Sequence, residues 1–136
     1  MRVFLDTNVL ASAMFGSGLC VQLFDRLLAR GAAVVTTPQV LHELRRVGQD
    51  KFRVPGPDLR ELLDWLGSRL VVVSDGSADG VADCPDPDDV PILHGALLAG
   101  AHWFVTGDKA LLGLGALGEM VILSPRATYE RLLTLG

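Results

Sequence analysis

Residues 33–44, AVVTTPQVLHEL, combine an apolar run with the beginning of a helical pattern, and the predicted fold rests on this alternation. The apolar run Ala33–Val35 predicts a buried strand. Thr37 followed by Pro38 is typical of a helix N-cap with proline at the first helical position. The helix that follows has one apolar face, which comprises Val40, Leu41, Leu44 and Val47.

The same alternation of apolar runs and helical periods continues along the chain. Strands that alternate with helices form parallel sheets with helices on both faces. We therefore predict one α/β domain over residues 1–136, a three-layer α/β/α sandwich with a five-stranded parallel sheet. Leu70–Val73, apolar throughout and rich in β-branched residues, is interpreted as a central strand. The predicted strands are Val3–Leu5, Ala33–Val35, Leu70–Val73, Trp103–Val105 and Val121–Leu123.

The composition indicates a small folded protein. With 49% hydrophobic and 21% charged residues, the 136-residue chain can bury a substantial core and is not disordered. Long apolar stretches such as 90–105 are broken by His, Gly or Pro before the roughly 18 apolar residues of a membrane span. The N-terminus lacks a signal-peptide pattern, and Cys20 and Cys84 form no metal-binding or disulfide pattern. We therefore expect a cytoplasmic protein without a membrane partner.

The charges are unevenly distributed. The net charge of −4, from 12 basic and 16 acidic residues, argues against a protein that binds nucleic acid through net positive charge alone. Eight of the basic residues lie between Arg26 and Arg69, whereas six acids without a base lie between Asp75 and Asp89. This segregation fits either a basic surface beside an acidic hole or ordinary solvated loops.

Two acids follow predicted strands. Asp6 comes directly after Val3–Leu5, and Asp108 comes shortly after Trp103–Val105. Parallel strands bring their carboxyl ends to one edge of the sheet, where ligands bind in open α/β folds. Either acid alone could equally be the N-cap of the next helix, so the hypothesis of a site depends on both.

Further acids stand beside apolar helix faces. Glu43 borders the buried face of its helix, where a carboxylate needs a partner or an open cleft; a surface glutamate bonded to an arginine is the alternative. Asp86, Asp88 and Asp89 precede another apolar helix, and capping explains one of them better than three. If four carboxylates converge, a hard divalent cation such as Mg²⁺ or Mn²⁺ would offset their repulsion. Such an ion supports phosphodiester hydrolysis.

These residues resemble the PIN domain family, and most closely its bacterial toxin components typified by VapC-like ribonucleases. The resemblance implies a five-stranded parallel sheet between helices and a metal-dependent endoribonuclease with Mg²⁺ or Mn²⁺ as cofactor. It also implies RNA as substrate, products with 5′-phosphate and 3′-hydroxyl ends, a cognate antitoxin protein as partner, and a homodimer. The matching pieces occur in the family's order over nearly the whole chain; they are Leu5–Asn8, Thr37–Pro38 with Glu43, Asp86–Asp89, and Val105–Lys109 followed by Ala110–Leu112.

The resemblance also implies roles for individual residues. Asn8 and Thr106 match polar residues that orient the acids or the water. Asp88 is the alternative to Asp89 for direct contact with the ion. The four acids that match the metal-binding and catalytic residues are Asp6, Glu43, Asp89 and Asp108.

The basic surface is modest for a nuclease. Candidate RNA contacts are Arg45 and Arg46, with Lys51 and Arg53 beyond them, and Lys109. All have an ordinary alternative, as part of a solvated helix face or as an exposed lysine at a helix start.

Three other interpretations remain to be weighed. The sequence GLGALG at 113–118 spells the dinucleotide fingerprint but follows a short helix and precedes the last strand, so we interpret it as a turn. A haloacid-dehalogenase-like phosphatase needs a second aspartate where this chain has Asn8. A non-catalytic PIN-like module that binds RNA or a protein would be favoured by a missing acid, and all four acids are present.

Overall fold

A computed structural model describes residues 1–135, which form a sheet with helices on both faces. The strands are β1 (Arg2–Leu5), β2 (Ala33–Thr36), β3 (Val71–Val72), β4 (Trp103–Val105), β5 (Ala116–Leu117) and β6 (Met120–Leu123). A 3₁₀ turn covers Pro87–Asp89. The α-helices are α1 (Thr7–Phe15), α2 (Leu19–Ala29), α3 (Pro38–Asp50), α4 (Gly56–Arg69), α5 (Val90–Leu98), α6 (Lys109–Leu112) and α7 (Pro125–Thr134).

Strand β1 lies at the centre of the sheet. The strand order is β3-β2-β1-β4-β6-β5, and β1 pairs in parallel with β2 on one side and β4 on the other. The pairs β2–β3 and β4–β6 are also parallel. The predicted α/β sandwich with a mainly parallel sheet is confirmed. The strand order reverses between β1 and β4, which is where open α/β sheets bind ligands.

The sheet has six strands rather than the predicted five. The additional strand β5 pairs antiparallel with β6 through a two-residue hairpin loop. Leu117 and Met120, which flank the loop, are paired with each other. The loop begins at Gly118, whose φ of 56° favours glycine. The glycine-rich segment is therefore a turn, as interpreted, and it carries an edge strand of two residues that hydropathy alone does not indicate.

The expectation that Leu70–Val73 forms a central strand is wrong. Only Val71 and Val72 form β3, which lies at the edge of the sheet, and each is 48% exposed. An apolar composition indicates a strand but does not fix its place in the strand order. The chain after β3 continues as a loop through residue 86 instead of a helix that would cover this edge.

The core is centred on β1 and β4, whose side chains are buried with the exception of Arg2. The rings of Phe4 and Phe104 stack with their centroids 5.2 Å apart. Helix α3 begins as predicted: the Thr37 hydroxyl accepts a hydrogen bond from the Val40 N–H at 3.4 Å, and Pro38 occupies the first helical position. This cap fixes the start of the helix that carries Glu43.

No single helix within residues 1–135 is long and apolar enough to cross a membrane. Helices α1 and α2 satisfy the length and composition requirement only as a pair bent by 95°, and both contribute residues to the buried core.

Candidate active site

The candidate site lies where β1 and β4 end. These strands are adjacent and parallel, with Leu5 beside Val105. Asp6 and the segment Thr106–Asp108 therefore leave the sheet at the same edge. The Asp6 N–H donates to the Val105 carbonyl at 2.9 Å, which fixes the backbone of Asp6 against β4. The sheet order thus places both strand-end acids at the point where the strand order reverses.

Asp6 is held by two neutral donors. Its Oδ1 accepts from the Thr7 N–H at 2.9 Å at the start of α1, and its Oδ2 accepts from the Thr106 hydroxyl at 2.8 Å. Burial raises the pKa of Asp6 above its ordinary value, the two hydrogen bonds lower it, and the charges of Glu43 and Asp108 raise it again. The net rise shows that these bonds offset only part of the cost of a buried charge.

Thr106 links Asp6 to Asp108. Its hydroxyl is fully buried and accepts from the Asp108 N–H at 3.1 Å while it donates to Asp6. Asp108 is exposed, and its Oδ1 accepts from the Ala110 N–H at 2.8 Å, which caps α6. Both strand-end acids are therefore N-caps, and capping does not exclude a place in the site.

Glu43 is oriented by residues from two helices. Its Oε2 accepts from the Thr7 hydroxyl at 2.6 Å, and its Oε1 accepts from Gln39 Nε2 at 3.3 Å. Thr7 follows Asp6 directly, so the first bond joins the acid on α3 to the end of β1. The partners of this half-buried glutamate are neutral donors rather than the arginine of the alternative interpretation.

The acids at 86–89 form a 3₁₀ turn before α5. The Asp86 Oδ1 accepts from the Asp88 N–H at 2.9 Å and caps the turn. The Asp88 carbonyl accepts from Gln39 Nε2 at 3.1 Å, and its side chain is exposed. Asp89 is half-buried and faces the cleft, which favours it over Asp88 as a candidate ligand.

Burial and neighbouring charges raise the pKa of Asp89 to about 6. Burial is the largest cause, and every charge that contributes is another carboxylate; these belong to Asp6, Asp86, Asp108 and Glu43. Repulsion from the other carboxylates therefore adds to burial in disfavouring a charge on Asp89.

A cleft of about 440 Å³ connects these residues. It brings together seven residues predicted for the site, which are Asp6, Asn8, Glu43, Arg46, Lys51, Asp89 and Asp108. Thr7, Val47, Asp50 and Asp86 complete the lining. Arg46 and Lys51 contribute positive charge from α3 and its C-terminal end, and Asp50 lies between them in the sequence; all other charged residues of the lining are acids. The cleft is thus mainly acidic, and its two cationic residues, Arg46 and Lys51, form what we call the basic wall.

The carboxylates suit a hard divalent cation in charge and in donor type, since Mg²⁺ and Mn²⁺ prefer oxygen ligands. A cation would also offset the carboxylate repulsion that adds to burial in raising the pKa of Asp89. Within residues 1–135, no three His, Cys, Asp or Glu side chains form a group that could hold an ion as they stand.

The sequence profile of the PIN domain matches residues 2–110, a span that contains all four candidate acids. The chain belongs to the PIN domain family. No curated protein sequence matches it. The family match favours the PIN interpretation over the haloacid-dehalogenase-like one.

Solved structures share the fold of this PIN domain. VapBC2 from Rickettsia felis, bound to a DNA fragment from their promoter, is 19% identical with a TM-score of 0.64, over 91% of this chain and 98% of that one. PAE2754 from Pyrobaculum aerophilum is 16% identical with a TM-score of 0.65, and the match covers 98% of this chain and 90% of that one. FitAcB from Neisseria gonorrhoeae is 16% identical with a TM-score of 0.60, and the match covers 91% of this chain and 98% of that one. At these identities the likeness establishes the fold.

Some predicted residues of this PIN domain lie outside the cleft. Arg45 and Lys109 are exposed and do not line it, and Thr106 lies behind Asp6. Sequence reasoning misses Thr7 and Gln39, the two donors to Glu43. A signal for Gln39 exists, because it precedes Glu43 by four residues and shares its helix face. The partnership of Thr7 depends on tertiary packing and has no such local signal.

Proposed function

We propose that this PIN domain is a metal-dependent endoribonuclease with Mg²⁺ or Mn²⁺ held by Asp6, Glu43, Asp89 and Asp108. The observation that carries the proposal is the convergence of these acids in one cleft, where only carboxylates contribute charge to the shift at Asp89. Family membership supports the same reaction class. One or two ions are compatible with this donor set.

In this proposal the residues around the four acids orient the carboxylates and the water. A bound divalent cation supplies a water of lowered pKa and neutralises charge on a phosphate oxygen. Thr106 and the Thr7 N–H keep Asp6 in one orientation, and the Thr7 hydroxyl does the same for Glu43. Asn8, exposed at the cleft, is placed to orient water or a phosphate.

The basic wall is the proposed path of a single-stranded or looped RNA. Arg46 and Lys51 line the cleft beside the acids, so they can bind backbone phosphates next to the scissile bond. Arg45 and Lys109 are exposed outside the lining and can contact only more distant parts of the backbone. We do not expect base-specific readout from this set, because phosphate contacts position a strand without reading its sequence.

We further propose that the protein is the toxin of a bacterial toxin–antitoxin system, acts in the cytoplasm, forms a homodimer and is paired with an antitoxin protein. The sequence pieces that resemble VapC-like toxins support this, as does the shared fold with VapBC2. Induced expression in bacterial cells should arrest growth for the wild type and not for Asp6→Asn. Equal growth arrest by both proteins would contradict a toxic nuclease centred on Asp6.

The direct test is cleavage of a mixed RNA pool by purified protein with Mg²⁺ or Mn²⁺ and with EDTA. Asp6→Asn keeps an oxygen for the helix cap but removes the charge, so it should abolish cutting. Asp64→Asn is the matched control, because it makes the same change at an exposed position on α4 outside the cleft. It should cut like the wild type.

Two results would overturn the proposed metal-dependent nuclease. Cutting that persists in EDTA or in Asp6→Asn would remove the metal site from the reaction. If neither the wild type nor the variants cut, but all bind RNA or a partner protein, the non-catalytic module becomes the better interpretation and the acids are structural.

A further inference from the structure

We propose that Gln39 is a positioning residue that ties Glu43 to the 3₁₀ turn at 87–89. It thereby sets the separation between Glu43 and Asp89. The proposal rests on the metal site proposed above. Gln39 belongs to neither of the sequence pieces that flank it, the Thr37–Pro38 cap and the acid at position 43.

The contacts of Gln39 bridge two elements. Its Nε2 donates to Glu43 Oε1 at 3.3 Å and to the Asp88 carbonyl at 3.1 Å. Both partners are acceptors, so only the NH₂ end of the amide can face them, and each of its two hydrogens has one partner. The bridge therefore uses the full donor capacity of this side chain.

The position of Gln39 is itself fixed. It lies in the first turn of α3, where its backbone N–H donates to Asp75 Oδ2 at 3.3 Å. Glu43 lies one helical turn later on the same face, which brings the two side chains together. The half-buried side chain spans from α3 to the residue that precedes Asp89.

The bridge opposes the repulsion in the cluster. Glu43 is one of the charges that act on Asp89, and the turn and its N-cap together carry three acids. Without the donor, Glu43 would keep only the bond from Thr7, and the turn would lose its tie to α3. Residues that orient metal ligands typically change metal affinity about 10- to 100-fold when they are replaced. We expect a loss of that size for Gln39.

The test compares the wild type with Gln39→Met, which keeps the length of the side chain but cannot donate. Gln49→Met is the matched control, since Gln49 is exposed on the same helix and does not line the cleft. Mn²⁺ affinity is measured without RNA by electron paramagnetic resonance. Hydrogen exchange of the peptide 84–90 is measured in EDTA, and a melting curve confirms that each protein is folded.

We expect Gln39→Met to bind Mn²⁺ about 10- to 100-fold more weakly and to exchange faster in the turn, with Gln49→Met unchanged. Saturating Mn²⁺ should restore most of the cleavage rate, which a general loss of structure would not allow. Gln39→Glu has the same size without the donor and should also exchange faster. If either folded variant matches the wild type in Mn²⁺ affinity and in exchange, the proposal is overturned.

Failure of the nuclease itself would look different. A wild type that neither binds Mn²⁺ nor cuts RNA refutes the proposed function. The exchange experiment in EDTA still decides whether Gln39 holds the turn.

Discussion

Replacing Asp89 by asparagine should stabilise the metal-free protein at neutral pH. The substitution keeps the shape of the side chain and removes the charge that burial and the neighbouring carboxylates disfavour. If Asp89 instead stabilised the fold as an acid at the start of α5, Asp89→Asn would destabilise the protein. The substitution therefore distinguishes an acid that stabilises the fold from one that serves a site requiring its charge.

The size of the effect follows from the pKa. A rise from 3.8 to about 6 corresponds to about 3 kcal/mol, at about 1.4 kcal/mol for each pH unit. Asp89 is only half-buried, so solvent screening reduces this figure, and we expect on the order of 1–2 kcal/mol. For a chain of this length that is about 3–8 °C in melting temperature.

The pH dependence has a definite sign. The pKa of Asp89 is higher in the folded than in the unfolded state, so protonation favours the folded state. The penalty of the charged wild type is fully present above pH 6 and disappears as the pH falls through about 6 toward 3.8. The advantage of Asp89→Asn should therefore be largest near pH 8 and vanish near pH 4.

The assay is thermal unfolding in EDTA between pH 4 and 8, followed by the same measurement at pH 8 with Mg²⁺. Asp64→Asn controls for the change in net charge and should melt like the wild type. In Mg²⁺ the order should reverse, because the variant lacks a proposed ligand. If Asp89→Asn is no more stable than the wild type at pH 8 in EDTA, the reasoning about repulsion is refuted.

Further predictions concern the metal and the buried threonines. Mg²⁺ at 100 times its Kd should stabilise the wild type by about 2.7 kcal/mol, seen as a higher melting temperature; an unchanged melting curve at millimolar Mg²⁺ would contradict the metal site. Thr106→Val should cost about 1–3 kcal/mol and weaken Mn²⁺ binding, because Asp6 and the Asp108 N–H lose their partner. Thr36→Val is the comparison, since that hydroxyl is equally buried but has no hydrogen-bond partner. In denaturant melts it should be neutral or stabilising, and equal losses for both variants would contradict this distinction.

The fold could be predicted where a local pattern matches a local structure. The apolar run Ala33–Val35 gives β2 to within one residue, and the Thr37–Pro38 cap gives the start of α3. Helix α1 is not indicated by periodicity, because its sequence TNVLASAMF is buried on most sides and has no polar face to set a period. The place of β3 at the edge depends on the strand order, which hydropathy does not contain.

In the candidate site too, some residues could be predicted from local sequence and others depend on tertiary packing. Asp6 and Asp108 could be found because strand ends in a parallel sheet share an edge. The distinction between Arg45 and Arg46 could not be made from charge, because consecutive helical residues point about 100° apart and only Arg46 lines the cleft. The bond from Thr7 to Glu43 joins residues 36 positions apart, so it follows from packing alone.

Three acids of the cleft also cap helices or turns. Asp6, Asp86 and Asp108 each accept a backbone N–H through Oδ1, at the start of α1, the 3₁₀ turn and α6. Capping fixes the orientation of a carboxylate that ends a strand or begins a turn, while Oδ2 takes no part in the cap. A carboxylate that caps a helix or turn can therefore also belong to the candidate site, and the two interpretations left open by the sequence are compatible. Because asparagine also caps helices well, Asp→Asn removes charge with little loss of the cap, whereas Asp→Ala removes both. Substitution by asparagine can attribute lost activity to the charge itself.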